Sequence, residues 1–308
     1  MESEDNTRKN EGADLLKQPI LSLVNMVEFL YLTGPFKKMN EVLSQLTKPV
    51  DLEGAHFANP QEKLKPYTVF LQEFEVIKGE KKISADIPFI VDEKQNPLPK
   101  RRSIELWIKQ QILSLELERI NSLLCGPCGC VLCCTGPNSE FDALSGFQGE
   151  MKQEFFEIPL EDSEVDIFTL EKVDTPESRQ MNAHSDSPLQ RDGVPFYKTG
   201  RGLYHWQNGW SLILPVGTIC PGLSPDTKRC MVYEKRPAVC RKPQIFPYVL
   251  EKTEDTAKRS DGVLIPVYMA RNMVLAVWDC PYVRKFQDEI GAYVEMSGLT
   301  PIFKKSKT

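Results

Sequence analysis

The feature that most constrains this chain is a group of five cysteines within ten residues. The segment reads C-G-P-C-G-C-V-L-C-C and contains Cys125, Cys128, Cys130, Cys133 and Cys134. Four further cysteines follow, at Cys220, Cys230, Cys240 and Cys280. An odd number of cysteines in a chain without an export signal favours metal ligation, because cytosolic thiols are kept reduced. Residues 1–12 are polar and acidic, unlike a secretory signal, so we expect a cytoplasmic protein.

The spacing of the first cysteines suggests more than one metal atom. Two residues between Cys125 and Cys128 let both sulfurs face the same metal or cluster. The side chains of adjacent Cys133 and Cys134 diverge, so we expect them to bind different metal atoms. Cys280 follows Asp279 at a predicted helix N-terminus, where the helix dipole would stabilise a thiolate.

Composition argues against two classes of protein. Charged residues make up 26% of the 308-residue chain, and the formal net charge is -5, so we expect no constitutive binding to nucleic acid. The most apolar run, Pro19 to Leu32, is interrupted by Asn25 and Glu28 and is too short to span a bilayer. It predicts a buried helix. Binding to a protein partner stays open.

The first half of the chain predicts helices. Residues 15–46 form two helices separated at Gly34 and Pro35, since this pair cannot continue a helix. Ser103 is a predicted N-cap for a helix from Ile104 to about Leu124, which Gly126 and Pro127 would end. Its predicted buried stripe consists of Ile104, Ile108, Ile112 and Leu115. Residues 65–90 fit strands or a helix equally well.

The second half predicts mixed structure. Residues 203–206 and 210–214 flank Gln207-Asn208-Gly209, whose Asn-Gly pair predicts a β-hairpin because it accepts the positive φ of a tight turn. Residues 172–195 are polar and predict a mobile loop or lid, or a plain linker. A final helix begins at Pro281 and buries Phe286, Ile290 and Tyr293. We therefore predict an α+β fold with a disordered segment 1–13, a mainly helical region 14–120 and a cysteine-rich metal-binding region 121–308 that contains a hairpin and a closing helix.

The downstream cysteines lie in a specific pattern. It comprises Cys220-Pro221 with Leu223, Arg229-Cys230, Tyr233-Glu234, Arg236-Pro237, Cys240-Arg241 and Phe246-Pro247. Together with the preceding cluster that ends in Cys-Cys, this pattern resembles the zinc- or iron-chelating CxxCxxCC domain family, the YkgJ-type cysteine cluster proteins. The resemblance extends from about Cys125 to Cys280.

The chain departs from the family pattern at its first cluster. Four residues separate Cys128 from Cys133 where the family usually has two, and Cys130 is an additional thiol. Without Cys130, eight cysteines suit two four-thiolate sites or one larger assembly. The resemblance thus implies the metal ligands Cys125, Cys128, Cys133, Cys134, Cys220, Cys230, Cys240 and Cys280. Which cysteine of the first cluster is the spare one stays open.

Several residues near these cysteines are expected to support the site. Arg229, Arg236 and Arg241 can compensate the negative charge of the thiolates or pair with Glu234. Tyr233 is expected in the core. The three histidines do not recur at ligand spacing, and His205 is expected on a strand face.

The sequence leaves three functions open. Scarce histidine and crowded cysteines favour an iron–sulfur cluster of the 4Fe–4S type, with zinc as the alternative. The first function is redox chemistry, electron transfer or another cluster-dependent role. The second is S-adenosylmethionine-dependent protein lysine methylation, implied by a similar cysteine-rich region in flagellin lysine N-methylase, although no G-x-G-x-x-G loop is present. The third is a structural zinc protein that acts as an interaction module. Whether the chain is an enzyme stays open.

Overall fold

The computed structural model describes residues 2–80, 87–137, 152–242, 244–258 and 262–305, and the fold is α+β as predicted. The α-helices are α1 (Glu2–Leu16), α2 (Ile20–Thr33), α3 (Met39–Gln45), α4 (Pro60–Leu64), α5 (Thr68–Leu71), α6 (Lys100–Cys128), α7 (Ala238–Arg241), α8 (Pro281–Lys285) and α9 (Gln287–Met296). The strands are β1 (Val50–Leu52), β2 (Ala55–Phe57), β3 (Phe89–Val91), β4 (Phe155–Leu160), β5 (Lys172–Val173), β6 (Gln190–Arg191), β7 (Val194–Pro195), β8 (Gly202–Trp206), β9 (Gly209–Pro215), β10 (Ile245–Lys258), β11 (Leu264–Val277) and β12 (Thr300–Lys304).

Helix α6 is the centre of the largest hydrophobic core. Its buried residues recur at helical spacing and include Ile104, Ile108, Ile112 and Ile120. Helices α1, α2 and α8 and strand β10 all contact α6. The core therefore combines residues from both halves of the chain, including Leu16 near one end and Val294 near the other. The division of the chain at residues 13 and 120 stays a prediction, and this core extends across residue 120.

Strand β11 is the middle of one sheet. It pairs antiparallel with β10 along one edge, and β3 and β12 pair parallel with different parts of its other edge. Helix α9 packs beside β12. This sheet, which consists mainly of residues from the C-terminal part of the chain, covers the core around α6.

A second sheet has the order β4-β9-β8-β5 and is covered on both faces. Leu212 and Leu214 belong to a hydrophobic cluster that also includes Cys220, whereas Ile213, Tyr204 and Trp206 belong to another. Burial on both faces explains why Leu212, Ile213 and Leu214 of β9 are consecutive apolar residues instead of an alternating pattern.

The predicted hairpin is confirmed as β8 and β9, which pair antiparallel. Trp206 pairs with Gly209, so Gln207 and Asn208 are the central residues of the turn. Gly209 has a φ of 113°. The left-handed backbone is needed after the two-residue loop, where only glycine adopts it without strain.

Backbone pairing joins the first cysteine cluster to the segment after β9. The amide of Cys220 donates to the carbonyl of Cys134 at 2.7 Å, and the amide of Gly136 donates to the carbonyl of Thr218 at 2.7 Å. Between them Thr135 pairs with Ile219 in an antiparallel bridge. Residues 134–136 and 218–220, which are far apart in sequence, therefore lie side by side.

The predicted disorder at the N-terminus is wrong for the residues that the structure describes, which exclude Met1. Helix α1 starts at Glu2 and packs along α6. Its charged side chains hold it there through ion pairs, such as that of Glu11 with Arg119 at 2.5 Å. Residues 1–12 have no apolar periodicity, but they belong to a helix that is held by ion pairs and by the buried side chains of Leu15 and Leu16.

The predicted limits of the long helix are also wrong. Pro99 occupies the N-cap position, so the helix begins at Lys100, and the Ser103 hydroxyl donates to carbonyls of the preceding turn. At the other end the helix continues through Pro127 and stops at Gly129, which has a φ of 63°. Leu115 is 40% exposed and does not belong to the buried stripe.

Two further predictions differ from the structure. Residues 172–195 contain short strands and a 3-10 helix, and Ser178 and Leu189 of this segment are buried, so it packs against the second sheet. The final helix begins at Pro281 and buries Phe286, Ile290 and Tyr293 as predicted. It breaks at Phe286, and strand β12 follows it, so it does not close the chain.

Within the described ranges, no single helix combines the length and the apolar character needed to cross a bilayer. The bent pair formed by α1 from Asp5 and α2 passes a test of length and composition only when both helices are taken together.

Glu116 in the middle of α6 makes stability depend on pH. Its Oε2 accepts hydrogen bonds from Tyr293 Oη at 2.6 Å and from the Ile20 amide at 3.1 Å, and burial raises its pKa from 4.5 to about 7. Between pH 4.5 and about pH 7, the folded state therefore binds more protons than the unfolded state. The free energy of unfolding consequently falls as the pH rises through this range, by about 3 kcal/mol in total. We expect Glu116→Gln to remove this decline in urea unfolding at pH 5 and pH 8. Glu62→Gln, at an exposed position on α4, should keep it.

Gly136 allows the close approach of the two cysteine segments. A Cβ at this position would overlap the backbone carbonyl oxygen of Pro215. We expect Gly136→Ala to lower the free energy of unfolding by about 2–3 kcal/mol, because backbone must move to relieve the overlap. Gly291→Ala is the matched control in α9, where the added methyl meets no atom within 4 Å, and should raise stability by roughly 0.5–1 kcal/mol. Equal effects of the two substitutions in thermal unfolding would contradict this account.

Candidate metal centre

The end of α6 and the turn after it bring three thiols into contact. Cys125 lies in the last turn of the helix, and left-handed backbone at Gly129 and Val131 reverses the chain into a 3-10 helix at Leu132–Cys134. The thiols of Cys125 and Cys134 both donate hydrogen bonds to Cys133. These bonds hold the pKa of Cys133 well below its usual value and raise the pKa of each donor.

The downstream segment supplies three more thiols. Backbone pairing places Cys220 beside Cys134, a bridge between Leu223 and Cys230 turns the chain, and Cys240 lies on α7. Burial, together with the charge of neighbouring Cys133, raises the pKa of Cys220 to about 11 and that of Cys240 to about 12. The two segments therefore face each other through their sulfurs.

These six residues line one cavity with a volume of about 700 Å³. We call them the six-cysteine group: Cys125, Cys133, Cys134, Cys220, Cys230 and Cys240. Phe155, Phe156 and Ile158 of β4 and Phe168, which follows the next 3-10 helix, form an apolar part of the wall. The cavity thus has sulfur on one part of its lining and aromatic rings on another.

The other three cysteines are Cys128, Cys130 and Cys280, which we call the three-cysteine group. Cys130 makes side-chain hydrogen bonds with both Cys128 and Cys280. Cys130 lines the cavity, whereas Cys128 and Cys280 are not among its lining residues. Cys130, which the sequence marks as an additional thiol, is therefore in contact with two predicted ligands.

The predicted dipole-stabilised thiolate at Cys280 is not what the structure shows. Cys280 occupies the N-cap position of α8 and is 3% exposed. Its hydrogen bond to Cys130, followed by burial, raises its pKa, although the amide of Val283 opposes this rise. The thiol is a donor to Cys130, and the short helix does not overcome this effect.

The donor set suits a thiophilic metal. Thiolates bind zinc and the iron of iron–sulfur clusters, and sulfurs from separated segments converge here. As the side chains stand, no group of three or more His, Cys, Asp or Glu among the described residues meets the geometry of a metal-ion site. The thiols form hydrogen bonds with one another, so metal binding requires these bonds to be replaced and the sulfurs to be deprotonated.

Arg236 is the predicted supporting residue whose charge acts most directly on the sulfurs. It is 7% exposed, and its guanidinium donates to the carbonyl of Tyr233 at 2.9 Å and to Ser122 Oγ at 3.1 Å. Burial raises the pKa of Cys230, and the positive charge of Arg236 opposes that rise, as it does for Cys240. Arg236 therefore favours the thiolate form of the sulfurs around it.

Tyr233 and Gly126 fix this arginine in place. The Tyr233 ring lies under the Arg236 guanidinium, 3.6 Å from its carbon to the ring centroid. The Tyr233 hydroxyl donates to the carbonyl of Ser122 on α6. A Cβ at Gly126 would lie 2.6 Å from that hydroxyl, so glycine makes room for the ring. Neither Ser122 nor the role of Gly126 was evident in the sequence, since both depend on how the tyrosine packs.

The remaining predicted supporting residues have other partners. Arg229 forms a two-point ion pair with Asp5 of α1, and Glu234 pairs with Arg8 at 3.1 Å, so the predicted pairing of Glu234 with an arginine of its own segment is wrong. Arg241 pairs with Glu118 of α6 at 2.9 Å. Helix α1 therefore contacts the site through charged residues that the sequence did not indicate.

The histidines are paired with carboxylates. His205 Nδ1 lies 3.0 Å from Asp174 Oδ1 on the strand face predicted for it. His184 lines the cavity, 3.2 Å from Glu157 through Nε2, and stacks on Phe155. His56 pairs with Asp51 at 2.7 Å. The metal donors that the sequence and the structure favour are thus sulfurs.

Comparison with known proteins identifies the region around these cysteines. Residues 124–261 match the family model CxxCxxCC, described as "Putative zinc- or iron-chelating domain". No curated protein and no solved structure matches the chain. The match begins in the last turn of α6 and ends before Cys280, so the resemblance predicted from Cys125 to Cys280 is confirmed as far as residue 261. Residues 124–261 are therefore similar to the CxxCxxCC family, whose model describes a zinc- or iron-chelating domain.

Proposed function

We propose that the protein binds an iron–sulfur cluster of the 4Fe–4S type through thiolates of the six-cysteine group and acts in electron transfer or redox sensing in the cytoplasm. The observation that supports this most is the common cavity. Thiols from the end of α6, from the turn after it and from residues 220–240 all line one space of about 700 Å³. Four thiolates suffice for such a cluster, and the group provides more than four.

The donor set favours iron–sulfur over zinc at this cavity. Structural zinc sites are commonly closed by four ligands, often including histidine. Here His184, the histidine of the cavity wall, is engaged by Glu157. Backbone amides are also directed at the sulfurs, as in the bond from Gly222 N to Cys220 Sγ at 3.4 Å. Such amides tune the potential of iron–sulfur clusters.

The chain's own residues prepare the thiols for binding. Hydrogen bonds from Cys125 and Cys134 hold the pKa of Cys133 well below its usual value, which favours its thiolate form. Arg236 compensates part of the negative charge that accumulates as further thiols ionise. The phenylalanines of the wall give the cavity an apolar side, and an apolar surround affects the reduction potential of a cluster. A bound cluster would supply a one-electron redox couple.

Replacement of Cys133 should remove the cluster. We expect anaerobically purified wild-type protein to contain iron and sulfide, with visible charge-transfer absorption and a reversible redox signal. Cys133→Ser should lose most of the iron, the sulfide and the absorption, because Cys133 contacts two other thiols of the group. Met231→Ser is the matched control, since this sulfur-containing side chain is 65% exposed next to Cys230. Wild-type protein that contains zinc alone and shows no redox signal would contradict the iron–sulfur proposal.

Arg236 should control metal affinity more strongly than Arg229. We expect Arg236→Met to weaken metal binding by roughly 10- to 100-fold, the usual effect of removing a group that supports the ligands. Arg236→Lys should recover part of the loss by retaining the charge. Arg229→Met should have little effect, since this exposed guanidinium is paired with Asp5. Competition with a chromophoric chelator measures these affinities. Equal losses for Arg236→Met and Arg229→Met would contradict the assigned role.

A further inference from the structure

Helix α1 consists of two parts that are held to the rest of the chain in different ways. Gly12, Leu15 and Leu16 in its second half are buried, and the two leucines belong to the largest hydrophobic core. Residues 5–11 in its first half are exposed or only partly buried. The second half is therefore anchored by packing, and the first half needs another kind of attachment.

Ion pairs supply this attachment. Asp5 Oδ1 lies 3.1 Å from Arg229 Nη1 in their two-point pair, and Arg8 Nη2 lies 3.1 Å from Glu234 Oε1. The guanidinium carbon of Arg8 is also 5.4 Å from the centroid of the Tyr233 ring. The first half of α1 is therefore joined by charge to residues 229–234.

The charged contacts continue the buried face of the helix. Asp5 and Arg8 precede Gly12 and Leu15 at spacings of three and four residues, so all four lie on one side of α1. Towards the N-terminus this side therefore changes from apolar packing to ion pairs. Packing holds a helix at any ionic strength, whereas exposed ion pairs are weak and are screened by salt.

The ion pairs lie at the opening of the cavity that contains the six-cysteine group. Asp5, Arg8, Arg229 and Glu234 all line this cavity. Arg8, Arg229 and Glu234 are also exposed to solvent, so they mark the place where the cavity opens. The two ion pairs thus connect α1 on one side of the opening with the segment that carries Cys230 on the other.

Gly12 separates the anchored half of α1 from the half held by charge. A Cβ at this position would lie 2.7 Å from Leu124 Cδ2, so glycine lets α1 approach α6 closely. Glycine is also unfavourable inside a helix, and helix termini open locally at little cost. The turns before Gly12 can therefore unfold or move away while Leu15 and Leu16 stay packed.

We propose that residues 5–11 form a cover over the cavity, held closed by charge, whose opening controls how metal ions reach the six-cysteine group. Higher ionic strength weakens the ion pairs and increases the open fraction. In the closed position Arg8 and Arg236 both lie over the Tyr233 ring, so the cover contacts the residue that fixes Arg236. The cover regulates the site of the proposed function, but it does not depend on which metal that site binds.

The test measures how fast a neutral maleimide modifies each cysteine in reduced, metal-free full-length protein, with mass spectrometry of peptides as the readout. Asp5→Asn/Arg8→Gln removes both ion pairs without changing the net charge. It should raise the rate at the six-cysteine group by roughly 3- to 10-fold, the effect expected from two exposed ion pairs. The rate at Cys280 should not change, since this thiol is part of the main core and does not line the cavity. Asp14→Asn/Lys17→Gln is the matched control, because it removes an exposed 3.0 Å pair that does not line the cavity.

Two further measurements examine the charge contact itself. Sodium chloride raised from about 0.05 to 1 M should increase the rate at the six-cysteine group in the wild type and have little effect in Asp5→Asn/Arg8→Gln. Arg8→Glu should raise this rate, and Arg8→Glu/Glu234→Arg should bring it back towards the wild-type value by restoring an ion pair of reversed polarity. Far-ultraviolet circular dichroism monitors folding of each variant.

Three results would overturn the inference. One is a wild-type rate that does not respond to salt, and another is an unchanged rate in folded Asp5→Asn/Arg8→Gln. The third is an equal rise at Cys280 and at the six-cysteine group, which would mean that the whole chain had become less stable. Because these rates are measured without metal, wild-type protein that fails to bind iron and sulfide would end the iron–sulfur proposal and leave the cover unaffected.

Discussion

The backbone pairing of residues 134–136 with residues 218–220 is the constraint on which the cavity depends. Two 2.7 Å hydrogen bonds, from the amides of Cys220 and Gly136, align segments that are separated by the whole of the second sheet. Without this pairing, the thiols at the end of α6 and those of residues 220–240 would belong to unrelated surfaces. The requirement for glycine at position 136 follows from the same close approach to Pro215.

The second condition for placing so many thiols in one cavity is compensation of the negative charge that they carry when ionised. Burial alone raises the pKa of Cys220, Cys230 and Cys240, which opposes metal binding. Arg236 counters this because its position is fixed by a tyrosine face and by hydrogen bonds to α6, which leaves its charge close to the sulfurs. Arg229 and Arg241 have instead been matched with carboxylates of helices α1 and α6.

The sequence indicated the chemistry and much of the fold, but not the grouping of the ligands. The hairpin of β8 and β9 and the start of α8 follow local signals, so they could be predicted. The extension of α6 to Cys128 could not, since Gly126 and Pro127 normally end helices, and here the glycine makes room for Tyr233. The long pair β10 and β11 has mixed burial and gives no clean alternation. Contact between Cys130 and Cys280 arises from the packing of α8 on α6, which no local pattern records.

The position of α6 bears on whether the cysteine-rich region can be separated from the rest of the chain. The family match begins at residue 124, within the final turn of a helix that starts at Lys100 and whose body is buried in the main core. A polypeptide trimmed to residues 124–261 would lack the helix that orients Cys125 and Cys128 and would expose the apolar side of β10. The region defined by sequence similarity is therefore part of a larger packed core. Residues outside the family pattern hold its cysteines in position.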